Sequence, residues 1–187
     1  PLAGIPAEPA LYILRDGDRI GGQPHLAWRV SLPLVAEPRG DWEVFVDART
    51  GQILRVSDRT CFVDGSGYAF DPDPLTTAQV SYGSTGYTDG NDADTAQLTA
   101  QRFLRTLPDL TYSGGVYRLT GPWVNITEFE APVSTPVTSA DPDGFTYTRN
   151  QQGFEDVNAY FHLDQSQRYM QSLGFDTIQH APIDVDT

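Results

Sequence analysis

The sequence predicts an α+β fold, mainly antiparallel β in two small subdomains, with one long helix near the C-terminal end. Three observations predict it. Short segments with period-two alternation of apolar and polar residues fill the first part of the chain and recur between 100 and 149. Turn-forming Gly, Pro, Asp and Thr separate them. One segment alone, FEDVNAYFHLDQSQRYMQSLGF at 154–175, carries a sustained helical period.

The elements follow in order. Residues 1–10, with three prolines, read as an extended entry segment. LYILR at 11–15 reads as a strand before the turn Asp16-Gly17-Asp18. HLAWRVSL at 25–32 alternates, with Leu26, Trp28, Val30 and Leu32 on one face. WEVFVDA at 42–48 sets Trp42, Val44 and Val46 on one face and Phe45 on the other. A turn closed by Gly51 and the return strand QILRV at 52–56 complete a hairpin. Residues 1–58 therefore form one antiparallel unit, and 59–187 form the second, β-rich and ending in a buried helix.

In the second unit, CFVDGSGYAF and DPDPLTTAQ read as turn-rich, with Pro72 and Pro74 excluding regular structure. Residues 81–97 read as a long polar loop. Strands are expected in 100–110, twice within 116–132 around the break at Gly121-Pro122, and in FTYTR at 145–149, with a loop over 133–144. The helix covers about 154–173 and stops at Gly174. Phe154, Val157 and Phe161 lie on one side; Ala159, Leu163, Met170 and Leu173 form a second stripe roughly opposite. Two stripes predict a helix packed between two layers.

Composition narrows the function. The net charge is −13, all 12 basic residues are arginine, and 19 of the 25 acids are aspartate. That balance argues against nucleic acid as a partner, because phosphate binding needs clustered positive charge. No apolar run is long enough to span a bilayer. An acidic, lysine-free surface suits a salt-rich or extracellular setting, but a GC-rich genome, which favours arginine codons over lysine, is the preferred explanation. The chain opens Pro1-Leu2, as expected of a processed or excised piece. Cys61 has no second cysteine to pair with and reads as a buried, inert thiol.

Motifs for self-contained catalysis are lacking. A peptidase zinc helix needs two histidines four apart. Four residues beyond His25, His162 and His180 stand Arg29, Ser166 and Asp184. His162 reads as half-buried on a polar seam with Glu155, Asn158 and Tyr169, not as a ligand. Asp89, Asn91, Asp92 and Asp94 are the best calcium candidates, since oxygen-rich loops bind that ion. They lack the EF-hand pattern and read first as a solvated acidic loop. Gly65-Ser66-Gly67 lacks the spacing of a serine nucleophile elbow. Asn125-Ile126-Thr127 is a glycosylation sequon, meaningful in a eukaryotic secretory host. Trp28, Trp42 and Trp123 read as core residues ahead of sugar-stacking platforms.

Two stretches resemble a known family. LAWRVSL followed by DWEVFVDARTGQILRV, 26–56, resembles the end of the PepSY-like pro-region of secreted thermolysin-like and fungalysin-like zinc metallopeptidases. Trp28, Trp42, Asp47, Ala48, Thr50 and Gly51 carry the match. FTYTRNQQGFEDVNAYFHLDQSQRYMQSLGF, 145–175, is similar to the segment before the catalytic centre of fungalysin-like enzymes, where a Phe-Glu-x-Val-x-Ala-Tyr-Tyr-His helix precedes the zinc helix. Phe154, Glu155, Val157, Tyr160, Phe161 and His162 occupy that helix here. The resemblance implies a pro-region followed by the front of a peptidase, without the His-Glu-x-x-His helix or the later glutamate ligand. It implies no catalytic or zinc residue in this chain, zinc and calcium in the parent enzyme, and a secreted zymogen. The implied partner is the remainder of the peptidase domain. An uncovered helix face would otherwise favour a dimer. Two alternatives stand beside this reading. One is a standalone PepSY-like module that inhibits or binds a protease; the other is a surface β-domain that binds calcium or sugar.

Overall fold

The computed structural model describes residues 7–13, 24–36, 39–88, 93–175 and 181–187. The protein is α+β: the described residues form two four-stranded sheets, a two-stranded sheet and one long helix. It divides into two compact units, Pro1–Cys61 and Phe62–Thr187.

The first unit is an antiparallel sheet in the order β1-β2-β3-β4, formed by β1 (Ala7–Ile13), β2 (Pro24–Ala36), β3 (Arg39–Asp47) and β4 (Ile53–Asp58). The register sets Leu11 opposite Leu26, Trp28 opposite Val46, Val30 opposite Val44, and Leu32 opposite Trp42. On β4, Val56 stands opposite Val44 and Ile53 opposite Val46, across a bulge that accommodates one extra residue. Directly opposed residues share a face, so the alternation read in 25–48 becomes one continuous apolar face. The other face is polar. Arg29 pairs with Glu8 at 3.0 Å and with Glu43 at 4.0 Å, and Arg59 pairs with Glu43 at 3.3 Å. Tyr12 and Phe45 stack there with ring centroids 4.6 Å apart. β1 begins at Ala7, so part of the proline-rich entry segment is strand; Leu14 and Arg15 of the expected first strand and the expected turn Asp16-Gly17-Asp18 lie outside the described residues.

In the second unit, β5 (Cys61–Phe70), β6 (Arg102–Ser113), β7 (Val116–Arg118) and β9 (Thr138–Ser139) form a sheet in that order. A parallel pair joins β8 (Val124–Ile126) to β10 (Ile183–Val185). Helix α3 (Gln152–Ser172) packs against β6 and β8. Leu107, Leu110, Leu119, Val124, Ile126, Phe145, Val157, Tyr160 and Phe161 form the core.

Several expectations are corrected. Residues 61–70 are a strand, not a string of turns. Gly65 and Gly67 are there for closeness: a Cβ on Gly65 would collide with the Pro142 carbonyl, and one on Gly67 would sit 2.8 Å from the Phe145 carbonyl oxygen. Pro74 does not block structure but starts α1 (Pro74–Ala78), because the first helical position needs no N–H. Asp73 caps that helix, accepting from the Leu75 and Thr76 amides at 2.9 Å each. The loop at 81–97 runs into α2 (Ala96–Thr99), capped by Thr95. The loop at 133–144 contributes β9. FTYTR is not a strand: Phe145 alone bridges to Gly67. Cys61 is exposed, not buried, because it opens an edge strand whose first four residues include three exposed ones.

Candidate functional site

Helix α3 gathers most of the candidate residues, so the site is built from it. Its buried side carries Phe154, Val157, Tyr160 and Phe161, but also Asp156 and Asp164. The expected second stripe is buried only in part: Ala159 and Leu163 pack against the core, whereas Met170 and Leu173 are exposed. Burial stops at Asp164, and no residue of the helix beyond it is buried. The helix ends in a Schellman turn, with Gly174 at φ +86° and its N–H donating to the Gln171 carbonyl at 2.9 Å, while the Phe175 N–H donates to the Met170 carbonyl at 3.2 Å.

The polar residues of α3 are engaged with neighbouring strands. His162 donates from Nε2–H to the Phe70 carbonyl at 2.8 Å, and Asn158, one turn earlier, accepts from the Phe70 N–H at 3.0 Å. Both backbone groups at the end of β5 are thereby satisfied by one helix face. Glu155, expected on the same seam, lies instead in the groove wall, and Tyr169 is exposed. Tyr160 donates its hydroxyl to the Pro108 carbonyl at 2.6 Å. Burial pushes its phenol far above the usual range, with the nearby Asp164 and Asp109 adding to the effect. Arg168 binds Asp164 through Nε at 2.6 Å and Asp109 through Nη2 at 2.6 Å. Burial raises the Asp164 carboxyl, and the Arg168 guanidinium opposes that rise. Asp156 accepts from the Val137 N–H at 2.8 Å and the Thr187 hydroxyl at 2.5 Å.

Beside the first half of α3 lies an open groove of about 600 Å³. Phe70, Leu75, Tyr87, Leu98 and Phe154 supply its apolar floor and walls, and Asp73, Arg149, Glu155 and Asn158 its polar margin. Phe70 and Phe154 meet edge-to-face at 4.9 Å. This arrangement can seat an apolar segment. Among the described residues lining it there is no histidine or cysteine, so it pairs no such base with a nucleophile.

The motif residues of the first unit build a turn. Asp47 accepts from the Arg49 and Thr50 amides at 2.9 and 2.8 Å and from His25 Nδ1–H at 2.8 Å. The His25 bond, followed by the two amides, holds its carboxyl well below the usual range. The Ala48 N–H donates to the Leu26 carbonyl at 2.8 Å, and Gly51 takes φ +73°. Trp42 is half-buried and Trp28 is exposed, so Trp28 is not core; its sheet face has no second layer among the described residues of this unit. Trp123 is half-buried against the core of the second unit.

The remaining candidates separate. Asp89, Asn91, Asp92 and His180 lie outside the described residues. Asp94 is exposed and accepts from the Thr99 hydroxyl at 3.1 Å. Among the described residues no group of three or more His, Cys, Asp or Glu side chains could hold a metal ion. His25 and His162 each use one ring nitrogen to bind a protein group, the Asp47 carboxylate and the Phe70 carbonyl. Asn125 of the sequon donates to Asp184 at 2.7 Å and accepts from Thr120 at 2.9 Å, so its amide is engaged in the β8–β10 pair. No helix among the described residues is long and apolar enough to cross a membrane.

Sequence reasoning missed the Asp156 and Asp164 anchors. The Asp164–Arg168 spacing of four was a readable signal; Asp156 binds partners distant in sequence and gave none. Comparison with protein-family models, curated proteins and solved structures finds no match.

Proposed function

We propose that this chain is the non-catalytic front portion of a secreted zinc metallopeptidase precursor, with a pro-region of the folding and latency type followed by the scaffold of the peptidase domain. The observation that carries the reading is the construction of α3. In its Phe-Glu-Asp-Val-Asn-Ala-Tyr-Phe-His stretch, Asn158, Tyr160 and His162 all bond to backbone groups of the neighbouring strands, as a scaffold helix would. Its Met170 and Leu173, with Phe175 beyond, remain exposed and offer a surface for further chain to cover. The remainder of the peptidase domain is the partner that fits this surface.

On this reading the parent reaction is peptide-bond hydrolysis. Zinc, when bound, would polarise the scissile carbonyl and activate water, and its ligands would come from other parts of the precursor. The described residues of this chain hold the helix and sheet against which such a centre would be built. The coding sequence beyond codon 187 tests the proposal. A His-Glu-x-x-His helix and a later glutamate support it, and their absence from the precursor overturns it.

A further inference from the structure

The apolar face of the first unit is broad and largely exposed, with Asp58, opposite Trp42 at the end of β4, as a charge at its edge. Leu11 is 72 % exposed, Leu26 66 %, Trp28 46 %, Ile53 60 % and Val56 52 %. By register these five share one face, distributed over β1, β2 and β4. The charged pairs Arg29–Glu8 and Arg59–Glu43 use residues of the opposite face and of the strand end. A partner selected by charge would have little to grip on the apolar side.

We propose that this face pairs with the same face of a second copy of the chain, giving a two-fold sheet-on-sheet dimer. Two arguments choose this occupant. The first is area. The five residues expose on the order of 600 Å², so two copies would bury about 1,200 Å² in total, the lower end of stable specific interfaces. The second is width. Three inter-strand spacings of about 4.8 Å place β1 and β4 about 14 Å apart. A lone helix about 10 Å across, seated over β1 and β2, leaves Ile53 and Val56 in water. A second sheet, packed about 10 Å away, covers both edges together. The pairing is isologous, so each Trp28 packs into its symmetry mate's patch near the axis.

Sedimentation equilibrium of the 187-residue chain between 1 and 100 µM tests this. The expected result is a concentration-dependent dimer whose dissociation constant rises at least tenfold in Leu26→Glu and is unchanged in Leu173→Glu. Oxidative footprinting of the wild-type chain at both concentrations removes dependence on the variants' folding. Trp28 and Leu26 are expected to become protected at the higher concentration, while Met170 stays reactive. A monomer at 100 µM, or a dimer lost in Leu173→Glu and retained in Leu26→Glu, overturns the proposal. So does protection of Met170 with Trp28 still reactive.

Discussion

His162 and Phe70 are joined by a 2.8 Å hydrogen bond from the imidazole Nε2–H to the backbone carbonyl. Ninety-two residues of sequence separate them. The bond ties the middle of α3 to the end of β5. His162→Ala is expected to destabilise the second unit by about 1–2 kcal/mol, the cost of leaving a half-buried carbonyl unpaired. Asn158→Ala is expected to behave alike. The double variant should lose less than the sum, since both act on the two sides of one residue. Thermal melts of the three variants check this.

Asp47 gives a pH prediction. Its folded-state pKa lies below the ordinary 3.8. The stability it contributes is therefore present above 3.8 and is lost as the pH falls below it toward the folded value. Asp47→Asn should lower the melting temperature of the first unit at pH 7. The gap from the wild type should narrow below about pH 4, where the wild type protonates too. An equal gap at pH 7 and pH 2 would contradict the assignment.

Gly65→Ala should disrupt the second unit. The added methyl meets the Pro142 carbonyl and the Leu110 side chain at once, and the backbone partner has little room to retreat. A loss of about 1–3 kcal/mol or more is expected from overpacking. Gly83→Ala, where a Cβ meets nothing within 4 Å but φ is +85°, should cost less, through backbone strain alone. Denaturant melts rank the two.

Arg168→Ala should expose the cost of burying Asp164. The carboxylate is almost fully enclosed, while the guanidinium is partly in solvent. A loss of about 2–3 kcal/mol is expected, below the range for fully buried pairs. Burial raises the Asp164 pKa, and removing Arg168 removes the main opposing effect. Protonation then favours the folded state, so the defect of the variant should shrink as the pH falls. Tyr160→Phe, losing one hydrogen bond to Pro108, should cost about 1 kcal/mol without that pH dependence.

Periodicity made the hairpin, the apolar sheet face and α3 legible, because each repeats a simple pattern over enough residues to exclude the alternative. Where a residue type has two uses, the sequence misled. Gly65 and Gly67 resemble turn residues but permit close packing inside a strand. Pro74 resembles a breaker but opens a helix behind its Asp73 cap. Leu163 and Leu173 share a stripe, yet only Leu163 meets the core, since a wheel records direction and not where the neighbouring layer stops. The His162 contact was legible only as a polar seam. Its acceptor is a backbone carbonyl far along the chain, and no side-chain pattern encodes that.

The most direct test of the proposed function is to read the coding sequence downstream of codon 187. The account predicts a His-Glu-x-x-His helix within about 100 residues, followed by a glutamate ligand. A stop codon directly after that of Thr187 would contradict it, and α3 would then belong to a binding module rather than to the base of a zinc peptidase.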